Sequence, residues 1–285
     1  MSASSLVEQA KCSAAIAAVD KNVLPSVRVL GIGSGSTVVY AVQRLVELKD
    51  QNKLNPDLVC VATSFQSKQL ISDAGLRGVD LDDLPALDSE QRCFKSIDVT
   101  IDGADEVDSE LNAIKGGGAA HLREKLVANA SKKLVLIADY RKDSQTLGDK
   151  WDCGIPVEIL PLAWRTIKRQ IESLCPKSNI SSTSTVAIPV SADSAADAFA
   201  FQSPRAELRQ AVRKAGPVVT DNGNFILDVA VGKIHDPRRV EHLIKMIPGV
   251  IEVGLFSGIA KEAWFGNEDG SILCRTPRSE MKKHE

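Results

Sequence analysis

No window of the chain approaches the run of about 20 apolar residues that a membrane-spanning helix needs. The opening MSASSLVEQAKC has neither the basic segment nor the apolar stretch of a secretory signal. These absences lead us to expect a cytoplasmic protein with no membrane partner. An excess of one charge is also missing: 35 lysines and arginines face 37 aspartates and glutamates, a formal net charge of −2. Because the basic residues are dispersed, there is no electrostatic footprint for a nucleic acid, whereas a small anion needs only a local site. The six cysteines, Cys12, Cys60, Cys93, Cys153, Cys175 and Cys274, stand singly. No C-x-x-C pair is available for zinc or redox chemistry, and reduced thiols in or near the core are expected.

What is present is an ordinary globular composition, 44% hydrophobic and 25% charged over 285 residues, enough for one large domain or two modest ones. After a first helix around residues 6–19, the N-terminal half repeats one grammar. A short β-branched run (residues 27–32, 58–62, 97–101 and 134–138) leads to a polar or glycine-rich turn and then to a helical period, clearest at Val38, Val42, Leu45 and Val46. Near-continuous apolar strands alternating with helices predict a parallel sheet covered on both faces, with ligands at the carboxyl ends of its strands.

From Ile155 the pattern changes to a strand at 157–160, a helix at 163–174, a hairpin, a helix at 237–247 and a strand at 250–255. The hairpin is read from VVT and FILDV flanking Asp221-Asn222-Gly223-Asn224. This β-α-β-β-α-β order is the ferredoxin-like arrangement. The fold expected is therefore α/β, a Rossmann-like parallel-sheet domain (residues 1–153 and 256–285) beside a smaller ferredoxin-like α+β domain (154–255). A serine- and alanine-rich stretch at 178–203 is expected as an insertion in the smaller domain.

The segment VLGIGSGSTVVYAV, residues 29–42, looks like a nucleotide-binding loop. A dinucleotide fingerprint needs a third glycine where Ser36 stands, and a triphosphate loop needs a lysine there. What fits is one phosphoryl group, held by backbone N–H groups of Gly33 to Thr37 at a helix start and by the hydroxyls of Ser34, Ser36 and Thr37. A plain strand-to-helix turn with one capping hydroxyl is the alternative.

Three other strand ends bring polar groups to the same rim. TIDGADE delivers Asp102, Gly103, Ala104, Asp105 and Glu106, two or three carboxylates at the sheet edge, with a solvated acidic loop or a magnesium site as the alternatives. IKGGGAAHLREK brings Lys115 and three glycines, Gly116, Gly117 and Gly118, suited to close backbone approach. In the helix after it, Leu122 and Leu126 should share an apolar face, while Ala120, Glu124, Ala128 and Ser131 share a narrow one. Glu124 is either a surface glutamate or a desolvated carboxylate able to take a proton from carbon. Finally, IADYRK ends a strand at Asp139 and places Arg141 and Lys142 where a phosphate could be neutralised.

With GIGSGST, TIDGADE, KGGGAAHLREK, IADYRK, PVEILPLA, VVTDNGNFILDV and PGVIEVGLFSG in this order from about Lys11 to Gly258, the sequence resembles the type A ribose-5-phosphate isomerases. That resemblance implies interconversion of ribose 5-phosphate and ribulose 5-phosphate in the non-oxidative pentose phosphate pathway, without metal or organic cofactor. It implies that Ser34, Gly35, Ser36 and Thr37 hold the phosphate. Asp102 to Asp105 and Lys115 to Gly118 would hold the sugar, Glu124 would be the base, and Lys142 would contact substrate. Lys11 lines up loosely with a further phosphate ligand, and a homodimer or homotetramer is the assembly implied. Two departures stand out: Ser34 replaces a threonine common in relatives, and the 178–203 stretch is longer than in compact bacterial members.

Overall fold

In a computed structural model, residues 3–84, 96–174 and 204–277 are described. The chain runs α1 (Ala3–Asn22), β1 (Val29–Ile32), α2 (Ser36–Asp50), β2 (Val59–Ala62), α3 (Phe65–Asp73) and β3 (Arg77–Val79). It continues through β4 (Val99–Gly103), β5 (Glu106–Val107), β6 (Ala113–Ile114), α4 (His121–Asn129) and β7 (Leu134–Asp139). Next come β8 (Ile155–Ile159), α5 (Trp164–Glu172), β9 (Arg205–Leu208), β10 (Phe225–Ala230), α6 (Pro237–Lys245) and β11 (Val250–Val253). The last strands are β12 (Leu255–Phe256), β13 (Ala260–Gly266) and β14 (Ile272–Arg275).

A seven-stranded sheet in the order β14-β13-β7-β4-β1-β2-β3 forms the centre. All its pairings are parallel except β13 with β14. The four apolar runs of the N-terminal half become β1, β2, β4 and β7, and every residue of β1 and β7 is buried. Strands buried along their whole length need cover on both faces. On one face α1 and α2 pack Ala15, Val19, Val38, Val42 and Leu45 against Leu30, Ile32, Ile101, Val135 and Ile137. On the other, Val127 of α4 meets Val29, Val61 and Ile97.

The second unit, β8-α5-β9-β10-α6-β11, builds a four-stranded antiparallel sheet in the order β11-β8-β10-β9. Its core packs Ile167, Ile171, Val240 and Ile244 of the two helices on Val157, Ile159, Leu227 and Val229 of the sheet.

Four sequence expectations need correction. The VVT arm of the hairpin is not a strand, because β10 takes β9 as its antiparallel neighbour instead. Only the turn survives: Gly223 N–H donates to the Thr220 carbonyl and Thr220 N–H to that of Asn224 (2.9 Å each). Gly223, with φ of +80°, is the residue in left-handed conformation there. The strand expected at 250–255 divides at Gly254, whose N–H donates to Pro156 while its carbonyl accepts from Lys115 N–H. A Cβ there would lie 2.2 Å from the Lys115 carbonyl oxygen, so Leu255 and Phe256 turn away to pair with β6. On α4 the expected apolar face is reversed. Leu126 is 51% exposed, whereas His121, Glu124, Lys125, Val127 and Ala128 are buried. Finally, Cys153 and Cys274 are exposed thiols, while Cys60 is buried and Cys12 half-buried; Cys93, Cys175 and the 178–203 stretch lie outside the described residues.

Candidate active site

The carboxyl ends of β1, β4 and β7 meet the turn before α4 around an open cavity of about 250 Å³. Ser34, Gly35, Ser36, Thr37, Gly103, Ala104, Asp105, Lys115, Gly116, Gly117, Gly118, Glu124 and Lys142 all line it. Lys11, Ala138, Asp139 and Arg141 complete the wall. At about 30 Å³ per water molecule the space holds about eight, the scale of a small phosphorylated sugar. Three residues expected on this rim do not line the cavity: Asp102 and Glu106 are fully buried, and Gly33 N–H is taken by the Ile101 carbonyl.

Close approach of two backbones makes the site. A Cβ on Gly33 would sit 2.0 Å from Asp102 Oδ1, so only glycine lets the end of β1 lie against the end of β4. Asp102 Oδ1 then accepts from the N–H groups of Ser34 (3.1 Å) and Gly103 (2.7 Å), tying the two turns together. Gly35, at φ +97°, precedes α2, and no side chain caps that helix. The capping account of the serines and threonine therefore fails, and Ser36 and Thr37, which open α2, line the cavity where a helix start has N–H groups without intrahelical partners. Three of the five N–H groups expected to hold the phosphate are occupied: Gly33 donates to the Ile101 carbonyl (2.9 Å), Ser34 to Asp102, and Gly35 to the side-chain oxygen of Gln66 on α3 (2.8 Å).

Behind this loop lies a cluster of three buried charges. Lys115 Nζ is 3.0 Å from Asp102 Oδ2 and 3.3 Å from Glu124 Oε2, and it donates to the Gly103 carbonyl. Burial works against the ammonium, but Asp102 and Glu124 outweigh it and hold the pKa of Lys115 above its ordinary value. Glu124 Oε1 accepts from the Ser34 hydroxyl at 2.6 Å. Burial, and then the neighbouring charge of Asp102, push the Glu124 carboxyl up to about 7 against the pull of Lys115. Asp102 is raised mainly by burial, as is Asp105, whose carboxylate accepts from Gly117 N–H at 2.7 Å. One ammonium thus serves two buried carboxylates, and the one facing the cavity is poised to gain and lose a proton near neutrality.

The basic side of the cavity is held in place by neighbours. Lys11 Nζ donates to Glu8 (2.7 Å), which also accepts from Tyr40 (2.6 Å), and Arg141 grips Asp139 through Nε and Nη2 (2.6 and 3.1 Å). Lys142 Nζ lies 5.0 Å above the ring of Trp151. Helix α1 brings Lys11, which lines up only loosely with a phosphate ligand, into the cavity wall. Gln66 and Trp151 carry no sequence signal, for each acts through a fold contact. Arg209 is another such residue. From the end of β9 its guanidinium donates to the Gly116 and Gly117 carbonyls (2.9 and 3.0 Å) and pairs with Asp228 (2.8 and 2.5 Å).

The family model of ribose 5-phosphate isomerase A (phosphoriboisomerase A) matches residues 59–270. The chain belongs to that family. It is 46% identical to the ribose-5-phosphate isomerase of Homo sapiens over 271 residues, covering 95% of this chain and 74% of the relative. To that of Mycosarcoma maydis it is 42% identical over 285 residues, 99% of this chain and 86% of the relative. Among solved structures, a D-ribose-5-phosphate isomerase in complex with phospho-erythronic acid superposes with a TM-score of 0.77 at 34% identity, covering 95% of this chain and 99% of that one. The ribose 5-phosphate isomerase A of Methanocaldococcus jannaschii gives 0.74 at 29% identity, covering 96% and 100%. For an isomerase of this family, a cavity of this size with one desolvated glutamate among backbone and ammonium donors has the equipment for proton transfer on a small phosphorylated sugar.

Proposed function

We propose that the cavity binds open-chain ribose 5-phosphate with its phosphate on the loop Ser34 to Thr37 and its C1 and C2 beside Glu124. As a ribose 5-phosphate isomerase, the enzyme interconverts this aldose with ribulose 5-phosphate, a pentose phosphate pathway reaction. One proton must leave C2 and return to C1 through a cis-enediolate, while a hydroxyl proton moves between the two oxygens. Glu124 takes the carbon proton and, now neutral, returns it to the neighbouring carbon. Lys115 and the N–H groups of the Gly116–Gly118 turn other than that of Gly117, which Asp105 holds, face the developing oxyanion. Asp105 holds sugar hydroxyls and assists ring opening; Asp102 works from behind by keeping Lys115 charged. The phosphate sits far from the reacting carbons and supplies binding energy that positions them, with Lys11 and Lys142 balancing its charge.

The observation that carries this reading is Glu124 itself. It is a buried carboxylate between a hydroxyl at 2.6 Å and an ammonium at 3.3 Å, pushed up to about 7 by burial and by Asp102. Phospho-erythronic acid, bound in the similar structure, carries a planar carboxylate at one end and a phosphate at the other, where the enediolate carries a planar oxyanion and a phosphate. We expect this chain to bind it too. The test is formation of ribulose 5-phosphate from ribose 5-phosphate, with and without EDTA. Turnover in both arms is expected; loss in EDTA with recovery on adding magnesium would overturn the metal-free mechanism.

The same reading divides the chain into a Rossmann-like domain (1–153 and 256–285) and a ferredoxin-like one (154–255). The β11-β8-β10-β9 sheet order of the second unit supports this. A cytoplasmic homodimer or homotetramer is the form proposed, to be checked by light scattering.

A further inference from the structure

We infer that Arg209 is a positioning residue for the oxyanion donors of the Gly116–Gly118 turn, reaching them from the second structural unit. Three observations converge. Arg209 Nη1 donates to two successive carbonyls, Gly116 O at 2.9 Å and Gly117 O at 3.0 Å. The remaining donors Nε and Nη2 are bound bidentately by Asp228 of β10, at 2.8 and 2.5 Å, so the fork is locked before it meets the turn. On the far side of the turn, Gly117 N–H donates to Asp105, which lines the cavity.

The C=O and N–H of one planar trans peptide point in opposite directions. With the Gly116 carbonyl turned to Arg209, the Gly117 N–H must face Asp105, as it does. With the Gly117 carbonyl also turned to Arg209, the Gly118 N–H faces that same cavity side, and no hydrogen bond within the described residues uses it. Three consecutive glycines have little conformational preference of their own, and Gly116 already stands at φ +104°. Ala119 N–H, donating to the Gly116 carbonyl at 2.9 Å, closes the turn but leaves the plane of the Gly117–Gly118 peptide free. Arg209 removes that freedom. A donor fixed before the charge develops costs no reorganisation at the moment of reaction, and this is what makes such donors effective.

The inference rests on the proposed oxyanion role of this turn, and its test is built to fail separately from the assignment of Glu124. Arg209→Lys keeps the charge but cannot span both carbonyls and Asp228; Arg209→Met removes the donors. Full-length variants are titrated at equilibrium with phospho-erythronic acid, planar and anionic at the reacting end, and with ribitol 5-phosphate, which has the phosphate and hydroxyls but no planar anion. We expect kcat to fall about 10- to 100-fold with KM changed less than about threefold. Affinity for the acid should fall in step with kcat while ribitol 5-phosphate binds as before, and added guanidinium should restore part of the Arg209→Met activity. Equal weakening of both ligands, or kcat within about twofold of wild type in both variants, would overturn the assignment. Should Arg209→Met fail to fold, the affinity ratio is read in Arg209→Lys and in Asp228→Asn, where an unchanged ratio in both is equally fatal. That ratio does not depend on which group moves the proton.

Discussion

The Ser34 hydroxyl donates to Glu124 at 2.6 Å across 90 residues of sequence, joining the phosphate loop to the carboxylate proposed to move the proton. A hydrogen bond to the charged form favours it, so Ser34 lowers a pKa that burial and Asp102 raise to about 7. The base works ionised, and kcat/KM should therefore rise with pH through an apparent pKa near 7. Ser34→Ala should move that limb to higher pH. A pH profile of kcat/KM for both proteins checks the direction; a limb that stays put or moves down removes Ser34 from the set of groups that tune Glu124.

Glu124→Gln should lower kcat by about 10² to 10⁴ while phospho-erythronic acid still binds. Its effect on stability has a definite sign. A folded pKa raised from 4.5 to about 7 means that the folded protein holds the extra proton between those values. The stabilisation is full below the unfolded pKa and is lost as pH rises through 7. At pH 8 the neutral glutamine should thus be as stable as wild type or more so. Thermal melts at pH 5 and pH 8 beside the rate measurement would reveal the contrary.

Lys115 and Asp102, both buried and 3.0 Å apart, should behave as a unit. Lys115→Met strands a buried carboxylate and should cost about 3–5 kcal/mol. Adding Asp102→Asn should recover much of that stability without recovering turnover. Urea melts of the two single variants and the double variant give the cycle, and additive losses would mean that the pair does not interact.

Gln66 holds the N–H of Gly35 at 2.8 Å, a donor that an incoming phosphate would use. Removing this competitor with Gln66→Ala should tighten phosphate binding by about fivefold, the worth of one ordinary hydrogen bond of about 1 kcal/mol. Calorimetric titration with inorganic phosphate measures it. Weaker binding would assign Gln66 to the bound state instead.

Lys142 rests on the Trp151 ring at 5.0 Å. Trp151→Leu leaves the ammonium in place but unsupported, and should raise KM by about two- to fivefold with kcat nearly unchanged, in keeping with a cation–π contact of about 0.5–1 kcal/mol. Steady-state kinetics decide it; an equal fall in kcat would mean that Lys142 acts on the reacting carbons.

The N-terminal half of the fold was legible because strands buried on both faces must be largely apolar, as VLGI is and as LVLIAD is up to Asp139 at its end. The rim residues were legible because glycines and charges at strand ends have few other reasons to be there. The hairpin misled, since Asn222-Gly223 specifies a turn but not which strand lies beside FILDV. That depended on β9, whose sequence RAEL alternates over only four residues, too short a run to stand out. The face of α4 misled for an electrostatic reason. Lys125 is buried because Glu241, Glu252 and the Val253 carbonyl, all distant in sequence, satisfy its ammonium at 2.6–2.9 Å. Leu126 is left at the surface as a result.

By itself, the sequence determined the alternation of strand and helix, the glycines that allow close backbone approach, and the set of groups delivered to one rim. Those are local properties of pattern and steric size. Only the tertiary structure decided their protonation and aim. Glu124 is poised near neutrality because burial and Asp102 act on it together, and the glycine turn is oriented because Arg209 reaches it from another sheet. Desolvation and charge coupling depend on distances between residues up to 90 or more positions apart, and no local reading of the chain contains those distances.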